Sequence, residues 1–127
     1  MTDTLREIKD KAWADLRVHE REFDAIVCAG DFHGVAISAA IAADFGVPLM
    51  MICRDKQIPT QSLIVCIGDC APDLRYLYVD DFFQFGHSLR AVFDYLDSSG
   101  NRAPVVATYE AITGTWKETG RAVKPPA

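Results

Sequence analysis

The sequence lacks a surplus of positive charge: 13 Lys and Arg stand against 18 Asp and Glu, a formal net charge of -5. No global field would draw such a chain to nucleic acid or to an anionic membrane, so any phosphate it binds must be met locally. It also lacks a C-x-x-C pair. Cys28, Cys53, Cys66 and Cys70 lie mostly in apolar segments, and their spacing does not make a zinc site, so reduced core thiols suited to a cytoplasmic protein are expected. No unbroken apolar run is long enough to span a membrane. The nearest, "GVAISAAIAADFGVPLMMIC", is interrupted by Asp44, Gly46 and Pro48 and reads as a buried helix, a turn and a buried strand. The opening "MTDTLREIKDK" offers no apolar leader core, which argues against secretion. Internal repeats and low-complexity segments are missing too.

What is present suits one compact domain over residues 1–127, since half of the residues are hydrophobic and 24% are charged. Leu5, Ile8, Ala12, Trp13 and Leu16 share a helical stripe, with Thr4 and Glu7 spaced as a capping box, so a helix is expected over 5–23. "DAIVCAG" at 24–30 and "VPLMMIC" at 47–53 read as strands buried on both faces. A turn at "DFHG" and a helix from Val35 to Phe45, stopped by Gly46 and Pro48, are expected between them. "LIVCIGD", "RYLYVDD" and "PVVATYE" read as further strands, with a helix carrying Leu89, Val92, Phe93 and Leu96 before the last. The segment from Ala111 onward has no clear period, and its structure stays open.

Strands that alternate with helices and are apolar throughout predict an α/β fold: a mainly parallel, Rossmann-like sheet of about five strands with helices on both faces. In such sheets ligands bind beyond the carboxyl ends of the strands, where the strand order reverses. Asp80 and Asp81 end one of these strands. An unpaired buried carboxylate is costly, so both are expected to face solvent, a cation or a polyhydroxyl ligand. The turn Gly86-His87-Ser88 then opens a helix, and free backbone N–H groups at such a place suit a phosphate or carboxylate. Residue for residue, solvated strand-end acids and a serine that caps its own helix account for the same pattern.

The stretch "YLYVDDFFQFGHS" resembles the phosphoribosyl pyrophosphate (PRPP) binding motif of the type I phosphoribosyltransferases. Upstream, "FDAIVCAGDFHGVAISAAIAADFGVPLMMICRDK" is similar to that family's first strand, pyrophosphate loop, helix and second strand. The likeness covers roughly residues 23 to 109. It implies that Asp80 and Asp81 contact the ribose 2- and 3-hydroxyls, directly or through Mg2+. It also implies that Phe85, Gly86, His87 and Ser88 form the 5-phosphate loop beside Gln84, that Gly30, Asp31, Phe32 and His33 form the pyrophosphate loop, and that Arg54 or Lys56 lies beside the pyrophosphate. The activity implied is transfer of a phosphoribosyl group from PRPP to a nitrogenous base or amine, with release of pyrophosphate, or binding of a nucleoside monophosphate.

Three departures accompany the likeness. Phe85 stands where the family usually has Thr, and Gln84 stands where members acting on 6-oxopurines have Asp. The base-selecting hood is expected to be reduced or absent, with "RDKQIPTQS" and a short tail in place of the long mobile loop and hood. A relative without turnover that binds PRPP or a nucleotide as a regulatory or interaction protein is therefore the alternative. A phospho-accepting receiver domain fits less well, because the paired acids follow several strands. A purely structural subunit on the same fold is the blandest reading. Trp116 and Tyr109 could stack on a base but are expected to pack instead, and His19 reads as surface. A homodimer is expected from the small size and apolar content, and neither membrane nor nucleic acid is expected as a partner.

Overall fold

A computed structural model of the chain describes residues 4–29, 32–54, 62–67, 74–82, 89, 90, 92, 93, 96 and 104–121. Helix α1 spans Leu5–Leu16, and the Thr4 side chain caps it by accepting from the Glu7 amide at 3.2 Å. The expected helix over 5–23 is shorter than its pattern suggested: a single 3-10 turn, Arg17–His19, follows Leu16. Leu16 is the last stripe residue to reach the core, and Val18 is left 76% exposed, so continuing the helix would bury nothing. Leu5 and Trp13, expected on the buried stripe, are partly exposed, although Trp13 still rests against Phe45 at 4.6 Å between ring centres.

Strand β1 spans Ala25–Ala29, α2 Phe32–Phe45, β2 Leu49–Arg54, β3 Ser62–Ile67, β4 Tyr76–Asp80, β5 Val105–Glu110 and β6 Thr115–Glu118. Between β4 and β5, residues 89, 90, 92, 93 and 96 are helical. Helix α2 begins at Phe32, so the turn expected at "DFHG" is in large part its first turn. Its expected stop is confirmed: Gly46 takes a φ of 64°, and the Gly46 and Val47 amides return to the Ala43 and Ala42 carbonyls.

The six strands run in the order β3-β2-β1-β4-β5-β6. β2, β1, β4 and β5 are parallel, while β3 and β6 add antiparallel edges. Period-two alternation sends Ile26, Cys28, Leu77, Val79, Ala107 and Tyr109 to one face, against Ala12 and Leu16 of α1 and Ile37, Ile41 and Ala42 of α2. Ala25, Val27, Met50, Ile52, Tyr76, Tyr78 and Val105 face the other way, against Val92 and Leu96 with Leu89 and Phe93 at the margin. Covering both faces is why the central strands read as unbroken apolar runs. The small residues of α2 let it sit close, and buried Ser38 donates to the Val79 carbonyl at 3.2 Å.

At the amino ends of β1 and β4, Arg75 grips Asp24 with two guanidinium bonds of 3.0 Å and one backbone N–H at 2.9 Å. The hydrogen bond from the Arg75 side chain holds the Asp24 carboxyl below its ordinary range, against the opposing effect of partial burial. A carboxylate whose folded pKa is depressed contributes stability above its unfolded value of about 3.9, and that stability is lost as pH falls through the folded value. Both side chains are more than a third exposed, so screening limits the effect to about 1 kcal/mol or less. Asp24→Asn is expected to lower the urea midpoint at pH 7 and to show a smaller deficit at pH 3. An equal deficit at both pH values would contradict this account.

Candidate functional site

The chain order reverses between β1 and β4: β1 leads through α2 to β2 on one side, whereas β4 on its other side leads onward to β5. The crevice at the carboxyl ends of these two strands is where open α/β sheets hold ligands. Asp80 closes β4 there, and α2 begins at Phe32, just past the end of β1. The first N–H groups of a helix have no partner within the helix and carry the positive end of its dipole. Phe32 and His33, expected in a loop, therefore present helix-terminal amides to the crevice.

β2 extends further than its neighbour. Ile52 is level with Ala29, so Arg54 stands two residues beyond the end of β1, roughly 6–7 Å along the strand direction. The backbone thus brings Arg54 to the same end of the sheet as Asp80, Asp81, Phe32 and His33. Gly30, Asp31, Lys56, Gln84, Phe85, Gly86, His87 and Ser88 lie outside the described residues.

The two acids differ in their surroundings. Asp80 is only 5% exposed, so of the surroundings expected for it (solvent, a cation or a polyhydroxyl ligand) solvent is not what its carboxylate meets. Its carboxylate is supported from inside, because the Tyr78 hydroxyl donates to Oδ2 at 3.0 Å and the Asp81 amide donates to Oδ1 at 2.8 Å. Asp81 is partly exposed, and its Oδ1 accepts from the Phe82 amide at 2.8 Å. The Ala111 and Ile112 amides bond the Asp80 and Asp81 carbonyls at 2.9 and 3.1 Å, tying the end of β4 to the chain beyond β5.

Sequence reasoning missed Glu110. Parallel register places it directly beside Asp80, on a strand about 4.8 Å away. Its Oε1 accepts from Thr113 at 2.6 Å, and Thr113 meets Thr115 at 2.8 Å. The available signal was an acid ending the predicted strand "PVVATYE", which parallel pairing was bound to bring level with another strand-end acid. Among the described residues, no group of three or more His, Cys, Asp or Glu could hold a metal ion by itself. The oxygen donors of Asp80 and Asp81 nonetheless suit Mg2+, which commonly takes one or two carboxylates and completes its shell with water and phosphate oxygens.

The aromatic residues considered as base platforms pack instead. Tyr109 is fully buried and donates to Asp15 at 2.7 Å. Burial first, and the bond to Asp15 second, push its hydroxyl pKa up. Trp116 stacks on His19 at 3.9 Å, so His19 is covered on one face and bonds Glu22 with its ring nitrogen. An open groove of about 390 Å³, lined in part by Glu22, Arg75, Val106, Trp116 and Arg121, lies at the amino ends of the parallel strands, away from the acids.

No family model matches the sequence, and no curated protein does so significantly. Solved structures do match. The orotate phosphoribosyltransferase of Francisella tularensis superposes with a TM-score of 0.64 at 14% identity, over 84% of this chain and 50% of that one. The adenine phosphoribosyltransferase of Thermoanaerobacter pseudethanolicus gives 0.63 at 18% identity, over 84% and 66%. The fold is that of the type I phosphoribosyltransferases. A purine phosphoribosyltransferase of Pyrococcus horikoshii adds 0.60 at 20% identity, over 85% of this chain and 73% of that one. The phosphoribosyltransferase fold is thus present, while the chain spans about half the length of the orotate enzyme. Among the described residues no helix is long and apolar enough to cross a membrane.

Proposed function

We propose that the protein binds PRPP, or a nucleoside monophosphate, at the carboxyl ends of β1 and β4, and transfers the phosphoribosyl group to a nitrogenous base in the cytoplasm. The observation that carries this reading is the end of β4, where adjacent acids stand at the switch point of a phosphoribosyltransferase fold beside the start of α2. Fold alone does not determine activity, so the weight rests on these residues.

In this reading Asp81, with Asp80 behind it, accepts hydrogen bonds from the ribose hydroxyls. The first amides of α2 and Arg54, together with Gly30, Asp31 and Lys56, meet the pyrophosphate, and the 84–88 stretch meets the 5-phosphate. Asp81, with Asp80 behind it, would hold Mg2+ together with the ligand's own oxygens, and the ion would supply positive charge that stabilises the departing pyrophosphate. The bond from the anomeric carbon to pyrophosphate oxygen breaks and its electron pair leaves with pyrophosphate. A bond to the base nitrogen forms, and that nitrogen's proton passes to solvent. The protein's part is to orient the reactants and stabilise charge, and no covalent nucleophile is needed.

Phe85 and Gln84 favour a second reading, in which the same site binds PRPP or a nucleotide without turnover. Incubation with PRPP, Mg2+ and a panel of purine and pyrimidine bases separates the two. The enzyme reading expects pyrophosphate release that depends on one base. Binding of PRPP with no release under any base would replace it by the second reading, and failure to bind PRPP would overturn both.

A further inference from the structure

Strand alternation places Tyr78 and Asp80 on the same face of β4, two residues apart. Tyr78 is fully buried, so its hydroxyl must find its partners inside the protein. The Asp80 carboxylate is such a partner, and its other oxygen receives the Asp81 amide. Both oxygens of Asp80 are therefore engaged from within. The Asp81 carboxylate takes the Phe82 amide on one oxygen, and its side chain is the one of the pair that reaches solvent.

We infer that the two acids have different work: Asp81 meets the ribose, whereas Tyr78 and Asp80 form a positioning pair that sets the Asp81 backbone and side chain in place. This rests on the proposed reading of the site. The chain of contacts runs from the phenol to the Asp80 carboxylate, from that carboxylate to the Asp81 amide, and from there to the exposed acid. A hydroxyl bonded to a carboxylate is a charge-assisted bond, stronger than a neutral one and directional. Without it the Asp80 carboxylate can rotate toward the crevice and release the Asp81 amide. Tyr78 touches no ligand in this scheme and acts through Asp80.

Tyr78→Phe keeps the ring and deletes the hydroxyl. Two readouts test the inference, the first of them free of ligand. Hydrogen exchange at the Asp81 amide is expected to speed up about tenfold, in keeping with the loss of a bond to a charged group, while the Val27 and Leu77 amides at the sheet centre keep their rates. Unchanged exchange at Asp81 would overturn the positioning role, whether or not the protein binds a sugar phosphate. The second readout is affinity for ribose 5-phosphate with Mg2+, expected to fall about tenfold in Tyr78→Phe and further in Asp81→Asn than in Asp80→Asn. A larger loss in Asp80→Asn would reverse the assignment of the two acids. Absence of binding in the wild type would defeat the functional reading and with it the ribose-meeting role of Asp81, leaving the Tyr78–Asp80–Asp81 coupling to the exchange measurement.

Discussion

Asp81→Asn is expected to reduce Mg-dependent affinity for PRPP by about 100-fold in a calorimetric titration, while leaving the urea midpoint close to that of the wild type. Hydrogen bonds to charged groups contribute about 1.5–3 kcal/mol each, and a neutral amide also loses its attraction for a divalent cation. The fold should tolerate the change, because Asp81 is partly exposed and an Asn oxygen can still accept from the Phe82 amide, as Asp81 Oδ1 does. Asp80→Asn should behave differently. It replaces one acceptor oxygen of a buried carboxylate with a donor, next to the Tyr78 hydroxyl and the Asp81 amide. Stability should fall with binding. Wild-type affinity in Asp81→Asn would mean that the exposed acid of the pair meets no ligand.

Gly114→Ala is expected to destabilise the protein by about 3 kcal/mol, the sum of a backbone cost of roughly 1–2 kcal/mol and a broken buried bond of about 1–2 kcal/mol. Gly114 turns β5 into β6 at a φ of 72°, a conformation in which an L side chain is strained. Its own amide bonds the Glu110 carbonyl at 2.8 Å. A methyl group there would stand 2.8 Å from Asp15 Oδ2 and 3.0 Å from Lys11 Cε. The Lys11 chain can move aside, although its Nζ also bonds the Ile112 carbonyl. The same Asp15 oxygen accepts from buried Tyr109, so its displacement leaves that hydroxyl without its acceptor on α1. Urea unfolding measures the loss, and a cost under about 1 kcal/mol would show that the turn relaxes around the methyl. Because this turn follows Glu110 directly, the variant should also weaken binding at the neighbouring end of β4.

How much of this was legible beforehand depended on whether the signal was local. "AIVCA" and "YLYVD" announce buried parallel strands because both of their faces are covered, and Gly46 marks a helix end because its positive φ is a local requirement. β6 was not legible. In Thr115–Glu118 only Trp116 is partly buried, and a four-residue edge strand owes its pairing to β5, not to its own pattern. The start of α2 at Phe32 was hidden because glycines and aspartate on either side looked like a turn.

The burial of Asp80 illustrates the same division at the candidate site. An acid at a strand end reads as solvated until the strand two residues earlier is seen to supply a phenol on the same face. Tyr78 in "YLYVDD" was that signal, since a strand period of two aims positions 78 and 80 together. Glu110 needed the strand order, which joins β5 to β4, to become a neighbour of Asp80. Conversely, the placing of Asp80 and Asp81 at the ligand-binding end of the sheet followed from strand ends alone, because parallel strands finish on one side.

In the proposed function the end of β4 and the start of α2 hold a phosphorylated ribose. Titration of PRPP into the full chain, with and without Mg2+, tests it most directly. One-site binding is expected to appear with Mg2+ and to weaken about 100-fold in Asp81→Asn. Absence of heat in the wild type at millimolar PRPP and Mg2+, with the protein folded, would contradict it.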